Sequence, residues 1–174
     1  WAQQQEQGRG RQGRAWESPE GGAYFSILVR PARPAAEIPQ LALIAGLAVV
    51  EAVRECAMLS PRVRWPNDLL LNGKKLAGIL TEAKNGAVVI GIGINVATKP
   101  SDLPETAISL AAAGGKNLDP FHLTARVYRR FFRWYDVWST EGFAPVREAL
   151  RPQMALFGEP VHISAGNERF EGTG

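Results

Sequence analysis

The sequence contains few of the residues that build metal sites and thiol chemistry. Its 174 residues include one cysteine, Cys56, and two histidines, His122 and His162. It has no HExxH pair, no Cys/His cluster and no G-x-S-x-G turn, so it offers no support for zinc hydrolysis or for a serine triad. It also has no G-x-x-x-x-G-K-[ST] loop. If the protein uses a nucleotide, it therefore does not bind it through a P-loop.

The scarcity of cysteine and of long apolar runs indicates the cellular compartment of the protein. One cysteine cannot form an internal disulfide, and because disulfides mark oxidising compartments we expect the cytoplasm. Cys56 falls in an apolar helical stretch, where a packed thiol is the expected role. The longest apolar run, LALIAGLAVV (41–50), has ten residues, whereas about 18 to 20 are needed to cross a bilayer. We therefore expect no membrane segment and no secretory signal.

Size and charge indicate a globular domain rather than a general binder of polyanions. Hydrophobic residues make up 45% of the chain, which is enough to bury a core, so we expect one domain with a small appendage. Lys and Arg number 20 against 17 Asp and Glu, a net charge of +3. That excess is small, and much of it is local to the first sixteen residues.

The opening segment GRGRQGR (8–14) matches G-x-G-x-x-G letter by letter, through Gly8, Gly10 and Gly13. A dinucleotide loop needs a buried strand before it and a helix after it. WAQQQEQ upstream is too polar for such a strand, and AWESPEGG downstream breaks helices, so we reject that interpretation. Three arginines on a glycine-rich backbone indicate an anion site instead. A solvated basic loop or a disordered RGG-like tail remains the alternative.

The hydrophobic pattern predicts an α+β fold with a largely antiparallel sheet flanked by helices. Asn-Gly pairs predict tight hairpin turns between the central strands. Strands are predicted at 23–30, 62–65, 69–71, 75–83 and 88–96. Helices are predicted from about 37 to 58, over 105–113, from 120 to about 138 with Asp119 as cap, and from 142 to about 153. A small β module is predicted to start near Leu156.

One face of the long predicted helix is basic. Arg126, Arg130 and Arg133 recur at i, i+4 and i+7 and so share that face. A solvated face explains this pattern best, and a docking surface is the alternative.

Three further stretches place polar side chains or glycines within or beside apolar strands. RWPNDL (64–69) leaves an amide and a carboxylate at a strand end, although Pro-Asn-Asp also suits a plain turn. KKLAGIL (74–80) puts Lys75 at the head of a strand, where a solvated lysine is the alternative. In GIGIN (91–95) the glycines at alternate positions leave one strand face without side chains, so a flat ligand could lie there. A β-bulge or tight sheet packing explains these glycines equally well.

Together and in this order, GRGRQGRAW, RWPNDL, KLAGIL and GIGINV closely resemble the catalytic core of biotin protein ligases. The resemblance runs from about Gln3 to Val96. It implies a class II aminoacyl-tRNA-synthetase-like catalytic domain over 1–155 and the beginning of an SH3-like domain over 156–174. It also implies that a biotin-contacting S/T-T/S-N segment precedes Trp1 and that the rest of the SH3-like domain follows Gly174.

The resemblance implies an ATP-dependent ligase that makes biotinyl-5'-AMP and transfers biotin to a lysine of an acceptor domain. ATP, biotin and Mg²⁺ carried by ATP would be its cofactors. Its partner would be the biotin carboxyl carrier protein of a biotin-dependent carboxylase, and a homodimer is compatible with the family. No nucleic acid is expected to bind this chain, which has no winged helix-turn-helix. A lipoate ligase-like adenylating enzyme and a non-catalytic, biotin-responsive regulatory module are the alternatives.

The same resemblance assigns site residues. Lys75 would bridge the biotin carboxylate and the α-phosphate, Arg11 would retain the adenylate, and Asp68 would orient the acceptor amine or assist its deprotonation. The implied biotin contacts are Gln5, Gly8, Arg9, Gly10, Arg11, Lys75, Gly78, Gly91 and Gly93. The implied adenylate contacts are Arg11, Arg14, Trp16, Asn67, Lys75 and Asn95. No metal ligand is assigned. Arg64 departs from the lysine that many relatives carry before WPND, so its contacts are left open.

Overall fold

Seven strands and three α-helices form the fold in the computed structural model, which describes residues 1–165 and 168–173. The strands are β1 (Ala23–Val29), β2 (Arg62–Arg64), β3 (Asp68–Leu71), β4 (Lys74–Lys84), β5 (Ala87–Ile94), β6 (Pro160–Ala165) and β7 (Glu168–Thr173). The helices are α1 (Gln40–Ala57), α2 (Pro120–Glu141) and α3 (Phe143–Leu150).

The main sheet is antiparallel throughout and has the strand order β1-β5-β4-β3-β2. Two Asn-Gly pairs make its tight turns, as predicted. Asn72 and Gly73 join β3 to β4 with φ values of 52° and 76°, and Asn85 and Gly86 join β4 to β5 with 51° and 73°. Both residues of each pair are left-handed, which is the conformation that this turn requires.

Helix α1 forms the centre of the core, and its burial confirms the sequence prediction. It packs on β2, β4 and β5 on one side and on α2 and α3 on the other, so apolar residues surround it. It begins at Gln40 rather than near 37, because a 3-10 turn over Ala35–Glu37 and then Pro39 precede it. By length and composition alone Ala35–Ala57 could cross a membrane, but 56% of its most apolar window is buried inside the fold, as a core helix requires.

The other helical predictions had mixed outcomes. Asp119 caps α2 as predicted, since its carboxylate accepts from the Phe121 N–H at 2.9 Å. The helix predicted over 105–113 is wrong, because the backbone there bonds to the strands instead. Lys75 donates to the Thr106 carbonyl at 2.9 Å, and Ile108 donates back to Lys75 at 2.9 Å.

The basic face of α2 is partly solvated, as predicted, with Arg133 51% exposed, and its arginines also pair with carboxylates of α1. Arg126 and Arg130 pair with Glu55 at 2.9 and 3.0 Å, and Arg133 pairs with Glu51 at 2.8 Å. The two helices are therefore joined at their rim by charge as well as by apolar packing. The sequence pattern missed this because the partner carboxylates lie about 75 residues earlier in the chain.

Cys56 is a half-buried thiol at the end of α1. Burial, followed by the nearby Glu55 carboxylate, raises the pKa of the Cys56 thiol. A raised pKa leaves little thiolate at neutral pH, which agrees with the predicted packing role rather than a reactive one.

Acidification should weaken the contact between α1 and α2 through Glu55. The Arg130 hydrogen bond holds the pKa of Glu55 below its usual value of 4.5. A lowered folded-state pKa stabilises the fold above the unfolded value and loses that effect as pH falls through the folded value. At pH 7, Glu55→Gln should therefore cost a few tenths of a kcal/mol, since the pair is partly exposed. Thermal unfolding should show this difference shrinking below about pH 4, and a pH-independent difference would contradict it.

Strands β6 and β7 form a separate two-stranded sheet after the last helix. Just before them, Ala155 donates to the Val63 carbonyl at 2.8 Å, which attaches this part of the chain to the edge of the main sheet. The division at residue 156 and the SH3-like identity of this segment stay predictions. Residues 166, 167 and 174 of that predicted segment lie outside the described residues.

Candidate active site

A cavity of about 450 Å³ lies over the sheet face opposite the helices, beneath the arginine loop (residues 8–16). We call it the central cavity. Twelve of the fourteen residues singled out from the sequence line it: Gln5, Arg9, Gly10, Arg11, Arg14, Trp16, Asn67, Asp68, Lys75, Gly78, Gly91 and Gly93. The three motifs and the arginine loop, which are far apart in sequence, therefore meet at one place.

Strand register explains why these residues meet. Directly opposed positions run across all five strands of the main sheet in one row: Arg64, Asp68, Gly78, Gly93 and Tyr24. Opposed residues in antiparallel strands point to the same face. The row therefore places a carboxylate at one side of the cavity and two glycines at its floor.

A β-bulge turns Lys75 towards the cavity. The register between β3 and β4 shifts at Leu69/Leu70, so that Leu70 opposes Lys75 and Leu76 is the extra residue. Side chains of a strand alternate between its two faces, and Gly78 is on the cavity face, so strict alternation would have put Lys75 on the helix side of the sheet. The extra residue shifts this alternation by one and puts Lys75 on the cavity face. The ammonium of Lys75 lies 2.7 Å from Asp68 Oδ1 and 5.2 Å from the centre of the Trp16 ring.

The arginine loop is a small hairpin and not a strand-to-helix turn, so the rejection of a dinucleotide loop is confirmed. Trp16 donates to the Gly8 carbonyl at 2.9 Å, and Gly10 donates to the Arg14 carbonyl at 2.7 Å. Gln12 and Gly13 reverse the chain with φ values of 58° and 72°.

Asn67 connects the arginine loop to the sheet. Its Nδ2 donates to the Ile79 carbonyl at 2.9 Å, and its Oδ1 accepts from Arg11 at 3.1 Å. On the other side of the loop, Arg9 lies 3.8 Å from the exposed carboxylate of Glu82. The loop thus contacts the turn before β3 and the strand β4 on two sides of the cavity.

The glycine floor is covered by a side chain of the protein itself. A Cβ on Gly93 would lie 2.6 Å from Trp16 Nε1, and one on Gly78 would lie 2.8 Å from Trp16 Cζ3. The flat group expected against this bare face is therefore, at these two glycines, the Trp16 indole. Gly91 is different, because its nearest neighbour would be the Leu80 carbonyl at 3.6 Å. A ligand could therefore contact Gly91 directly, whereas over Gly78 and Gly93 it would contact the Trp16 indole.

The side chains around the central cavity favour anions. Four cations line it, Arg9, Arg11, Arg14 and Lys75, against two carboxylates, Asp68 and Glu82. Fixed cations stabilise negative charge most where water is partly excluded. Within the described residues, no cluster of three or more His, Cys, Asp or Glu side chains could hold a metal ion.

Two of the predicted site residues do not line the cavity. Asn95 is 2% exposed and donates to the Ile108 carbonyl at 3.2 Å, because β5 ends before it and the chain turns away. Gly8 packs behind the loop, where a Cβ would lie 2.2 Å from the Trp16 carbonyl. Neither residue lines the central cavity, and their predicted ligand contacts stay predictions.

Sequence reasoning also missed lining residues. Ser26 lies opposite Gly91 in the register and faces the cavity, as does Glu82 on β4. A signal for Ser26 was present, since it is the only non-aromatic polar residue in AYFSILV and alternates with core positions. Nothing distinguished Glu82 from an ordinary solvated residue.

Ligand should order the arginine loop. Its side chains are mostly exposed and its glycines leave the backbone loose, so amide hydrogens over 8–16 should exchange rapidly in the free protein. A bound anion would hold Arg11 and Arg14, so exchange should slow when the ligands that the sequence resemblance implies, biotin and ATP, are added. Hydrogen exchange with mass spectrometry measures this, with α1 as the internal control. Equal protection in both states would count against the prediction.

Comparisons with known proteins agree with this geometry. The model of the Biotin/lipoate A/B protein ligase family matches residues 1–98. A biotin--[acetyl-CoA-carboxylase] ligase of Paracoccus denitrificans is 35% identical over 185 residues, covering 98% of this chain and 76% of that protein. The bifunctional ligase/repressor BirA of Bacillus subtilis is 40% identical over 156 residues, covering 84% of this chain and 48% of that protein.

A solved structure has the same fold. The biotin protein ligase from Aquifex aeolicus in complex with biotin and ATP superposes with a TM-score of 0.87 at 32% identity, covering 98% of this chain and 74% of that one. The chain belongs to the Biotin/lipoate A/B protein ligase family. It spans about half the length of the BirA proteins it matches.

Proposed function

We propose that the protein is an ATP-dependent biotin protein ligase. The observation that carries this proposal is the convergence of Arg11, Arg14 and Lys75 on one glycine-floored cavity. The reaction joins two anions, a carboxylate and a triphosphate. Two unit charges about 4 Å apart repel by about 4 kcal/mol at an effective dielectric of 20, so the site must supply opposing charge. The similar ligase from Aquifex aeolicus was solved with biotin and ATP, which supports these substrates.

In the first step a carboxylate oxygen of biotin attacks the α-phosphorus of ATP, and pyrophosphate leaves. Lys75 would bind the biotin carboxylate and the α-phosphate together, and Arg11 and Arg14 would bind phosphate oxygens. The product is the mixed anhydride biotinyl-5'-AMP. The arginine loop would then cover this intermediate and keep water from it.

In the second step the amine of an acceptor lysine attacks the acyl carbon and AMP leaves. That amine must lose a proton, and Asp68 is the lining carboxylate closest to Lys75, at 2.7 Å. We assign Asp68 the role of holding Lys75 and of accepting or orienting the amine proton.

The floor contains a buried donor that has no partner among the described residues. Trp16 Nε1 is buried and has no hydrogen-bond partner within the part of the chain that the structure describes. Leaving such a group unpaired costs about 1–3 kcal/mol. A polar atom of a bound substrate would remove that cost only if the indole moved away from Gly93.

The carboxylates of the central cavity offer few ligands for Mg²⁺. Asp68 and Glu82 are the lining carboxylates, and Asp68 already pairs with Lys75 and Arg64. Mg²⁺ takes few protein ligands when phosphates are present. It would therefore arrive with ATP, where it neutralises phosphate charge.

The partner we propose is the acceptor domain of a biotin-dependent carboxylase, and the place of action is the cytoplasm. The Paracoccus denitrificans relative is a biotin--[acetyl-CoA-carboxylase] ligase, which supports this acceptor. Full-length protein incubated with ATP, biotin and such a domain should raise the mass of that domain by one biotinyl group. Lipoate in place of biotin is the control, and transfer of lipoate instead would contradict the substrate assignment.

A further inference from the structure

We propose that Arg64 is a positioning residue that holds Lys75 at the cavity through the carboxylate of Asp68. This inference rests on the proposed function and adds to it a residue whose side chain lies outside the cavity lining. Asp68 and Lys75 line the central cavity, whereas Arg64 does not. Any effect of Arg64 on the reaction must therefore pass through a neighbour.

The three side chains form a chain of ion pairs in which each carboxylate oxygen of Asp68 has its own cation. Arg64 Nη2 lies 2.9 Å from Oδ2, and Lys75 Nζ lies 2.7 Å from Oδ1. The Asp68 side chain is 13% exposed, against 49% for Arg64. Arg64 thus closes the solvent side of a carboxylate whose other side faces the cavity.

This arrangement restricts the torsion that Asp68 would otherwise explore. The terminal torsion of an aspartate is broad and nearly two-fold, so either oxygen could face Lys75. A cation fixed on Oδ2 removes that freedom and leaves Oδ1 for Lys75. Lys75 itself is a compact charge on a flexible stem and has little means of fixing its own position. Its ammonium also lies 5.2 Å from the centre of the Trp16 ring.

Strand register holds Arg64 in place for this role. Arg64 and Asp68 are directly opposed at the end of the β2–β3 hairpin, so the backbone ladder sets their spacing. Arg62 lies two residues earlier on the same exposed face, opposite Leu70. Among the contacts of the described residues Arg62 has no carboxylate partner, which makes it a matched control.

The contact uses one guanidinium nitrogen, so an ammonium can replace it. Arg64→Lys should stay within about threefold of wild type, because one charge-assisted hydrogen bond is enough to occupy Oδ2. Arg64→Gln should lower kcat for pyrophosphate release by about tenfold, which is less than the about hundredfold cost of a 1 Å misplacement. The KM for ATP should change little, since Arg64 does not touch substrate. Arg62→Gln should behave as wild type.

A double-mutant cycle tests whether Arg64 acts through Asp68. Biotin- and ATP-dependent pyrophosphate release is measured for wild type, Arg64→Gln, Asp68→Asn and the double variant of the full-length protein. If Arg64 acts through the carboxylate, Arg64→Gln should change the rate less than twofold once Asp68 is Asn, because interacting residues are not additive. If turnover of Asp68→Asn is too slow to time at steady state, the same cycle is measured from the rate of biotinyl-5'-AMP formation in single-turnover experiments, followed over hours.

Several results would overturn the inference. In one such result, Arg64→Gln lowers the rate of pyrophosphate release by the same factor in the wild type and in the Asp68→Asn variant. In another, it raises the KM for ATP at unchanged kcat. Either result would mean that Arg64 contacts substrate directly. A rate unaffected by Arg64→Gln would mean that it has no role. A wild-type protein without biotin-dependent release would instead contradict the proposed function, which keeps the two failures distinct.

Discussion

Lys75→Ala should lower ATP- and biotin-dependent pyrophosphate release by about a thousandfold. Lys75 is the cation that the β-bulge turns into the cavity, where it lies beside Asp68 and Trp16. The repulsion it offsets is about 4 kcal/mol for two unit charges 4 Å apart at an effective dielectric of 20. Since each 1.36 kcal/mol is tenfold in rate, losing that offset corresponds to about three powers of ten.

Lys74→Ala is the matched control for this prediction. Lys74 is the adjacent residue of β4, is exposed and does not line the central cavity. Its removal should leave the rate unchanged. Both variants should keep the fold, because Asp68 retains Arg64 at 2.9 Å when Lys75 is lost. A Lys75→Ala protein that is folded by circular dichroism yet releases pyrophosphate at the wild-type rate would refute the assignment.

Gly93→Ala should lower the same rate by about a hundredfold by displacing the Trp16 indole. The added Cβ would lie 2.6 Å from Trp16 Nε1 and 2.8 Å from Cε2, distances that real Cβ contacts do not reach. The indole must move, and Lys75 then loses the ring beneath its ammonium. Overpacking of this kind costs about 1–3 kcal/mol, but the arginine loop can yield, so unfolding should change less than activity. A 1 Å shift of the groups around a substrate can cost about hundredfold.

Two variants separate displacement of the indole from other effects of added bulk. In a Trp16→Ala background, Gly93→Ala should cost little more, because the clash is gone. Gly172→Ala on β7 is the neutral control, since its Cβ would meet nothing within 4 Å. The explanation fails if Gly93→Ala reduces the rate by the same factor with and without Trp16.

Local sequence was enough to predict most of the secondary structure. The Asn-Gly turns, the strands around them and the cap at Asp119 depend on neighbouring residues, and the structure has each of them. The helix expected over 105–113 failed for the opposite reason. That segment has good helix formers, but its backbone hydrogen-bonds to residues about fifteen to thirty positions earlier, including Asn95 and Lys75.

The limits of sequence reasoning at the site have the same origin. The motifs named twelve of the residues that line the cavity, because side-chain type and turn chemistry are local properties. The face on which Lys75 lies was decided by one extra residue in β4, which an alternating pattern does not reveal. Likewise, GIGIN predicted a bare surface, whereas only the folded chain could bring Trp16 onto Gly78 and Gly93.

The sequence by itself determined the strands, the tight turns and the buried first helix. It also determined which cationic residues and glycines could form a site. Tertiary structure alone decided which of those groups meet. It paired the arginines of α2 with the carboxylates of α1, buried Asn95 away from the cavity and placed Arg64, Asp68 and Lys75 in one chain of contacts. The physical reason is that charge and hydrogen-bond partners are chosen by distance in space, and strand register and helix packing set that distance.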